Sequence, residues 1–134
     1  MKYLLDTNIC IALLKNETDN NSYLKEKLTT FSPSEFVLCS VVKAELIYGA
    51  RYSKRVEQNL NLLSVFFSQF ISFPFDDKAA EFYGINRTIL KSQAKPVGEN
   101  DLLISSIALA RDLAVVTRNR AEFSRIPALK IETW

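Results

Sequence analysis

The chain has 134 residues, of which 48% are hydrophobic and 24% charged, and a formal net charge of +2. That size and balance fit one soluble globular domain over residues 1–134 with a substantial core, and they exclude a disordered or membrane-embedded chain. The chain has no histidine at all, which removes the commonest general base, the Ser/His/Asp and Cys/His arrangements and the commonest transition-metal ligand.

Tyr3, Leu4 and Leu5 read as a short buried strand, and Asp6 stands where it stops. Asp6 is either a helix cap, with Thr7 and Asn8 as equally good capping types, or a carboxylate presented at the end of a parallel strand. A helix is expected from about Asn8 to Lys15, a polar turn over Glu17 to Ser22, and a second helix over Tyr23 to Phe31 with Leu24 and Leu28 four apart. Ser32-Pro33 ends that helix.

Phe36 to Cys39 is the second strand, and Ser40 is expected to cap a helix running to about Tyr52. From about Arg55 to Phe70 another helix carries Leu60, Leu63, Phe66, Phe67 and Phe70 as a stripe for the core or a subunit contact. Ile71 to Phe75 is a third strand. Asp76 or Asp77 then caps a long helix reaching about Ala94, which Lys95-Pro96-Val97-Gly98 breaks before a further helix from about Asn100 to Arg111. Leu113 to Thr117 and Lys130 to Thr133 are the last strands. Strands alternating with helices imply an α/β fold, a central, mostly parallel sheet of about five strands flanked by helices.

The longest apolar runs, such as Phe36 to Cys39 and Leu113 to Val116, are too short to cross a bilayer, so no membrane association is expected. Without an apolar leader at the start, the expected location is the cytoplasm. Cys10 and Cys39 lie in apolar surroundings and read as buried, reduced thiols, and no zinc set is available.

Three acids recur at equivalent places. Asp6 ends the first strand, Glu45 lies early in the helix after the second, and Asp101 lies in the first turn of the helix entered from Gly98. A fourth group, Thr117 to Glu122, follows the fourth strand directly. Taken singly, Glu45 is an ordinary solvated helix residue, Asp101 a favourable charge near a helix N-terminus, and Asn119 and Glu122 loop residues. A parallel sheet brings these groups to one edge if its first, second and fourth strands are neighbours. Carboxylates about 4 Å apart repel by about 4 kcal/mol at an effective dielectric near 20, so such a cluster calls for a cation. Hard oxygen donors select Mg²⁺ or Mn²⁺, and such a site suits phosphodiester hydrolysis.

The run LLDTN with Ile9 and Ile11 behind it, and the segments SVVKAELIYGA, PVGENDLLISSIALA and VVTRNRAEF, resemble the four signature regions of the PIN-domain ribonucleases, in particular the VapC-type toxins of bacterial toxin–antitoxin pairs. The likeness covers nearly the whole chain in the right order. It implies a PIN-like fold and a Mg²⁺- or Mn²⁺-dependent endoribonuclease acting on structured RNA, such as tRNA. It also implies a homodimer, neutralised by a cognate VapB-type antitoxin. By the same resemblance Asp6, Glu45 and Asp101 are the catalytic, metal-binding acids, with Asp6 and Asp101 the direct ligands. Many relatives have an aspartate soon after the fourth strand, where this chain offers Asn119 and Glu122.

Thr7 and Thr117 are placed to support the cluster from the strand ends, and Glu99 is expected to be solvated. Arg118 and Arg120 are the candidate RNA contacts, with Lys43, Arg51, Lys54 and Arg55 around the second unit. Tyr48 and Tyr52, four apart on one helix, suit either base stacking or packing at a contact, packing being the commoner use. A binding module of the same fold is the main rival to the enzyme. A phosphatase using Asp6 as nucleophile ranks below it, since such enzymes carry a second aspartate where Asn8 stands.

Overall fold

In the computed structural model, residues 1–15 and 22–134 are described. Five strands, β1 (Tyr3–Leu5), β2 (Phe36–Cys39), β3 (Ile71–Phe73), β4 (Ala114–Val116) and β5 (Lys130–Glu132), form one sheet in the order β3-β2-β1-β4-β5. Every pairing is parallel, with Leu4 of β1 opposite Val37 on one side and Val115 on the other. Helices cover both faces, which is why the central strands carry unbroken apolar runs. Leu4, Leu5, Val37, Leu38, Val115 and Val116 are wholly buried, each such side chain contributing about 1.5 to 3 kcal/mol.

The helices are α1 (Thr7–Lys15), α2 (Ser22–Thr30), α3 (Ser40–Arg51), α4 (Val56–Phe67), α5 (Asp77–Ser92), α6 (Glu99–Arg111) and α7 (Arg120–Phe123). In α4, Leu63 and Phe66 enter the core and Leu60 and Phe67 pack against it, with Phe70 beyond the helix end doing the same. The most deeply set helix is α6, whose Ser105 and Ser106 are buried and donate to the carbonyls of Asp101 and Leu102, both at 2.7 Å. Back-bonding of this kind lets hydroxyls enter an apolar interior without an unpaired group.

The chain builds outward from β1 to β3 on one side, then returns to place β4 and β5 on the other. The order reverses beside β1, where an open parallel sheet leaves a crevice at its carboxyl edge. The first, second and fourth strands are therefore the neighbours that convergence of the acids requires.

Several boundaries differ from the sequence expectation. Cys39, not Ser40, stands at the cap of α3 in an extended conformation, and the Ser40 hydroxyl instead accepts the Phe75 N–H at 3.3 Å. Asp76 caps α5 by accepting the Ala79 N–H at 2.9 Å. That helix stops at Ser92 because Ala94 turns to φ 53° and the Lys95 N–H reaches back to the Leu90 carbonyl, a Schellman-type ending. A short 3-10 turn over Pro33–Glu35 and the one-turn α7 were not expected. The turn expected from Glu17 falls, up to Asn21, outside the described residues.

Trp134 closes the sheet end by stacking on Phe31 at 5.4 Å and meeting Tyr3 and Phe36. Cys10 and Cys39 are buried free thiols, and burial raises both, Cys39 to about 11. No helix among the described residues is long and apolar enough to cross a membrane.

Candidate active site

Asp6 sits at the reversal point. Its N–H continues the sheet by donating to the Val116 carbonyl, and its own carbonyl accepts from Ile9 and Cys10 to start α1. The backbone thus performs the helix-starting role and leaves the carboxylate for other partners. Oδ1 accepts the Thr7 N–H at 2.8 Å and Oδ2 the Thr117 hydroxyl at 2.7 Å. Asp6 is only 4% exposed and Thr117 wholly buried, so this pair is fixed in place.

From Asp6 the contacts run in both directions. On one side the Thr7 hydroxyl donates to Glu45 Oε1 at 2.8 Å, tying α3 to α1. On the other, Thr117 accepts the Asn119 N–H at 2.9 Å, and the Asn119 amide donates to Asp101 Oδ2 at 3.1 Å and Glu122 Oε2 at 2.9 Å. Glu122 Oε1 in turn accepts the Gly98 N–H, joining α7 to the start of α6. One continuous hydrogen-bonded chain therefore links Glu45, Thr7, Asp6, Thr117, Asn119, Asp101, Glu122 and Gly98. All the acids and supporting residues expected from the sequence are brought together by it.

Gly98 was read only as a helix break. Its missing side chain is the signal that could have found it, since a Cβ there would stand 3.0 Å from Glu122 Oε1. Arg118 and Arg120 are exposed on either side of Asn119, and Glu99 is exposed as expected. Lys43 is turned onto the Phe67 ring, 5.0 Å from its centroid.

The electrostatics are those of crowded acids. Burial first, then the negative charges of Asp6 and Glu122, pushes the Asp101 carboxyl up to about 7. Asp6 is also raised, chiefly by burial, against the lowering effect of its bonds from Thr117 and Thr7. Glu122 is lowered by the Gly98 N–H and the Asn119 amide. Among the described residues no three His, Cys, Asp or Glu side chains stand together as a ready-made cage. Mg²⁺ does not need one, because it binds through one or two carboxylates and retains several waters. The donor set is all hard oxygen, and the charges of Asp6 and Glu122 beside the buried Asp101 carboxyl are ones a cation would offset. Asp6 and Asp101, with Glu45 and Glu122 beside them, fit such an ion.

The chain matches the PIN domain family over residues 3–129. It belongs to the PIN-domain family. Curated relatives of this PIN domain include Ribonuclease VapC2 of Rickettsia felis, 42% identical with 100% of this chain and 98% of that protein covered. Another is the tRNA(fMet)-specific endonuclease VapC of Salmonella typhimurium, 37% identical with the same coverage. Among solved structures, VapBC2 from Rickettsia felis bound to a DNA fragment from its promoter aligns at TM-score 0.88 and 39% identity over 100% of this chain and 99% of that one. DNA-bound VapBC from Salmonella typhimurium aligns at TM-score 0.89 and 37% identity, covering 98% and 97%.

Proposed function

We propose that this PIN domain is a cytoplasmic, Mg²⁺- or Mn²⁺-dependent endoribonuclease. In this reading it is the toxin of a toxin–antitoxin pair, cuts structured RNA such as tRNA, acts as a homodimer and is held inactive by a VapB-type antitoxin. The observation that carries the reading is the single hydrogen-bonded chain that gathers Asp6, Glu45, Asp101 and Glu122 at the carboxyl edge of the sheet. The relatives' names, a ribonuclease and a tRNA endonuclease, support RNA as substrate. Neighbouring structures that are VapBC assemblies support the antitoxin.

When bound, the divalent ion supplies an acidified water and a counter-charge to the phosphate oxygens. The protein's share is positioning. Thr117 and the Thr7 N–H fix both Asp6 oxygens, so the carboxylate meets its ligand without reorganising. Asp101, whose carboxyl burial and neighbouring acids raise, would bind such an ion in its deprotonated form. Thr7 holds the Glu45 carboxylate beside Asp6, where it would bind the ion directly or through water and orient the attacking water. Asn119 stands where many relatives carry an aspartate, and it bridges Asp101 and Glu122 through a neutral amide. Glu122 then supplies the fourth negative charge from α7. Arg118 and Arg120, exposed beside Asn119, are the candidate contacts to the RNA phosphates.

Induced expression in a bacterial host, followed by sequencing of RNA ends, tests the reading. Discrete fragments from a narrow set of RNAs, absent with Asp6→Asn and suppressed by co-expression of a cognate VapB-type antitoxin, are expected. Unchanged RNA, or fragments that persist with Asp6→Asn, would overturn it.

A further inference from the structure

The helix that carries Glu45 also carries two tyrosines that the chain leaves in water. Tyr48 and Tyr52 are 69% and 82% exposed, and their rings stack 5.9 Å apart at 18° between planes. Three and seven residues after Glu45, they lie about 60° and 20° from it around a helix of 3.6 residues per turn. Glu45 and Tyr48 on α3, with Tyr52 as its helical-conformation C-cap, therefore form one stripe leading from the acid cluster past the helix end.

The charge between Glu45 and Glu57, the acids at either end of this segment, is all positive. Residues 46–56 contain three cations, Arg51, Lys54 and Arg55, all exposed, and no acid. Exposed aromatic faces interleaved with cations match a single-stranded nucleic acid, whose bases stack while its phosphates meet the charges.

We propose that Tyr48 and Tyr52 form a stacking platform for unpaired bases of the RNA, with Arg51, Lys54 and Arg55 holding the phosphates of the same strand. The proposal rests on the ribonuclease reading above and deepens it by naming how the substrate is held. Along the axis, Tyr48 lies about 4.5 Å and Tyr52 about 10.5 Å from Glu45 at 1.5 Å per residue. At the ~3.4 Å rise of a stacked strand, the platform receives the first about three bases leaving the cut site. Every base has an aromatic face, so the platform places the strand without reading its sequence. It favours substrates with unpaired bases beside the cleavage point, as in a loop.

The test is fluorescence anisotropy of a labelled, unstructured RNA oligonucleotide in EDTA, where nothing is cut, alongside cleavage kinetics with metal. Tyr48→Ala/Tyr52→Ala should bind about five- to a hundredfold more weakly. Tyr48→Phe/Tyr52→Phe should stay within about twofold of the parent, because the ring rather than the hydroxyl acts. In cleavage, the alanine pair should raise KM and leave kcat near the parent value. Equal binding by the alanine pair, equal loss by the phenylalanine pair, or no measurable RNA binding by the parent overturns the proposal. A changed oligomeric state on light scattering with RNA binding untouched does so too, and reassigns the pair to a protein contact. Tyrosine-dependent binding without any cleavage would sink the ribonuclease reading alone. Cleavage with tyrosine-independent binding would sink the platform alone.

Discussion

Replacing Asp101 by asparagine removes a carboxyl that burial and the charges of Asp6 and Glu122 push from 3.8 up to about 7. That gap corresponds to about 4 kcal/mol at 1.36 kcal/mol per pH unit. The residue is only partly shielded from solvent, so screening reduces the expected effect to about 2 kcal/mol. Below about pH 4 the carboxyl is protonated in both the folded and the unfolded chain, and it carries no penalty. Between about pH 4 and 7 only the unfolded chain ionises there, so the folded state binds more protons and wild-type stability falls as pH rises. Above about pH 7 the loss is complete. Asp6 is raised as well and acts in the same direction, while Glu122 is lowered and acts below this window. In urea unfolding with EDTA, Asp101→Asn should exceed the wild type by about 2 kcal/mol more at pH 8 than at pH 4. Saturating Mn²⁺ at pH 8 should stabilise the wild type and leave the variant unmoved. The same difference between wild type and variant at both pH values would refute the crowded-acid account.

Thr117→Val keeps the shape but leaves a buried Asp6 oxygen without its donor. Unfolding should show a loss of about 1 to 3 kcal/mol. Gly98→Ala should leave thermal stability within about 1 kcal/mol of the parent, because the clash is with the movable end of Glu122, while RNA cleavage falls several-fold. Ala94→Gly should stabilise the fold by about 1 kcal/mol in urea, since a residue at φ 53° is relieved by losing its Cβ. Trp134→Ala should cost about 3 kcal/mol in the same assay by emptying the ring cluster with Tyr3, Phe31 and Phe36.

The central strands were legible because burial on both faces forces continuous apolar runs, and Asp6 stood out by interrupting the first of them. Asp101 and Glu45 were legible from their places after a helix break and a strand. The role of Gly98 was hidden because it depends on Glu122, 24 positions away, whose carboxylate occupies the space a Cβ would take. Asn119 and Glu122 looked like loop residues because the four residues of α7 are too few to show a periodicity. Ser40 misled because its hydroxyl serves a distant partner, the Phe75 N–H, rather than its own helix. Long-range pairing of this kind leaves no local trace in sequence.

The most direct measurement is cleavage of RNA by the purified, antitoxin-free protein in EDTA and in titrated Mg²⁺ or Mn²⁺, with folded Asp6→Asn, Glu45→Gln and Asp101→Asn variants in parallel. The account predicts no cutting in EDTA, discrete fragments that rise with metal concentration, and loss of those fragments in the Asp6 and Asp101 variants. Cutting that survives EDTA, or variants that cut as well as the parent, would contradict it.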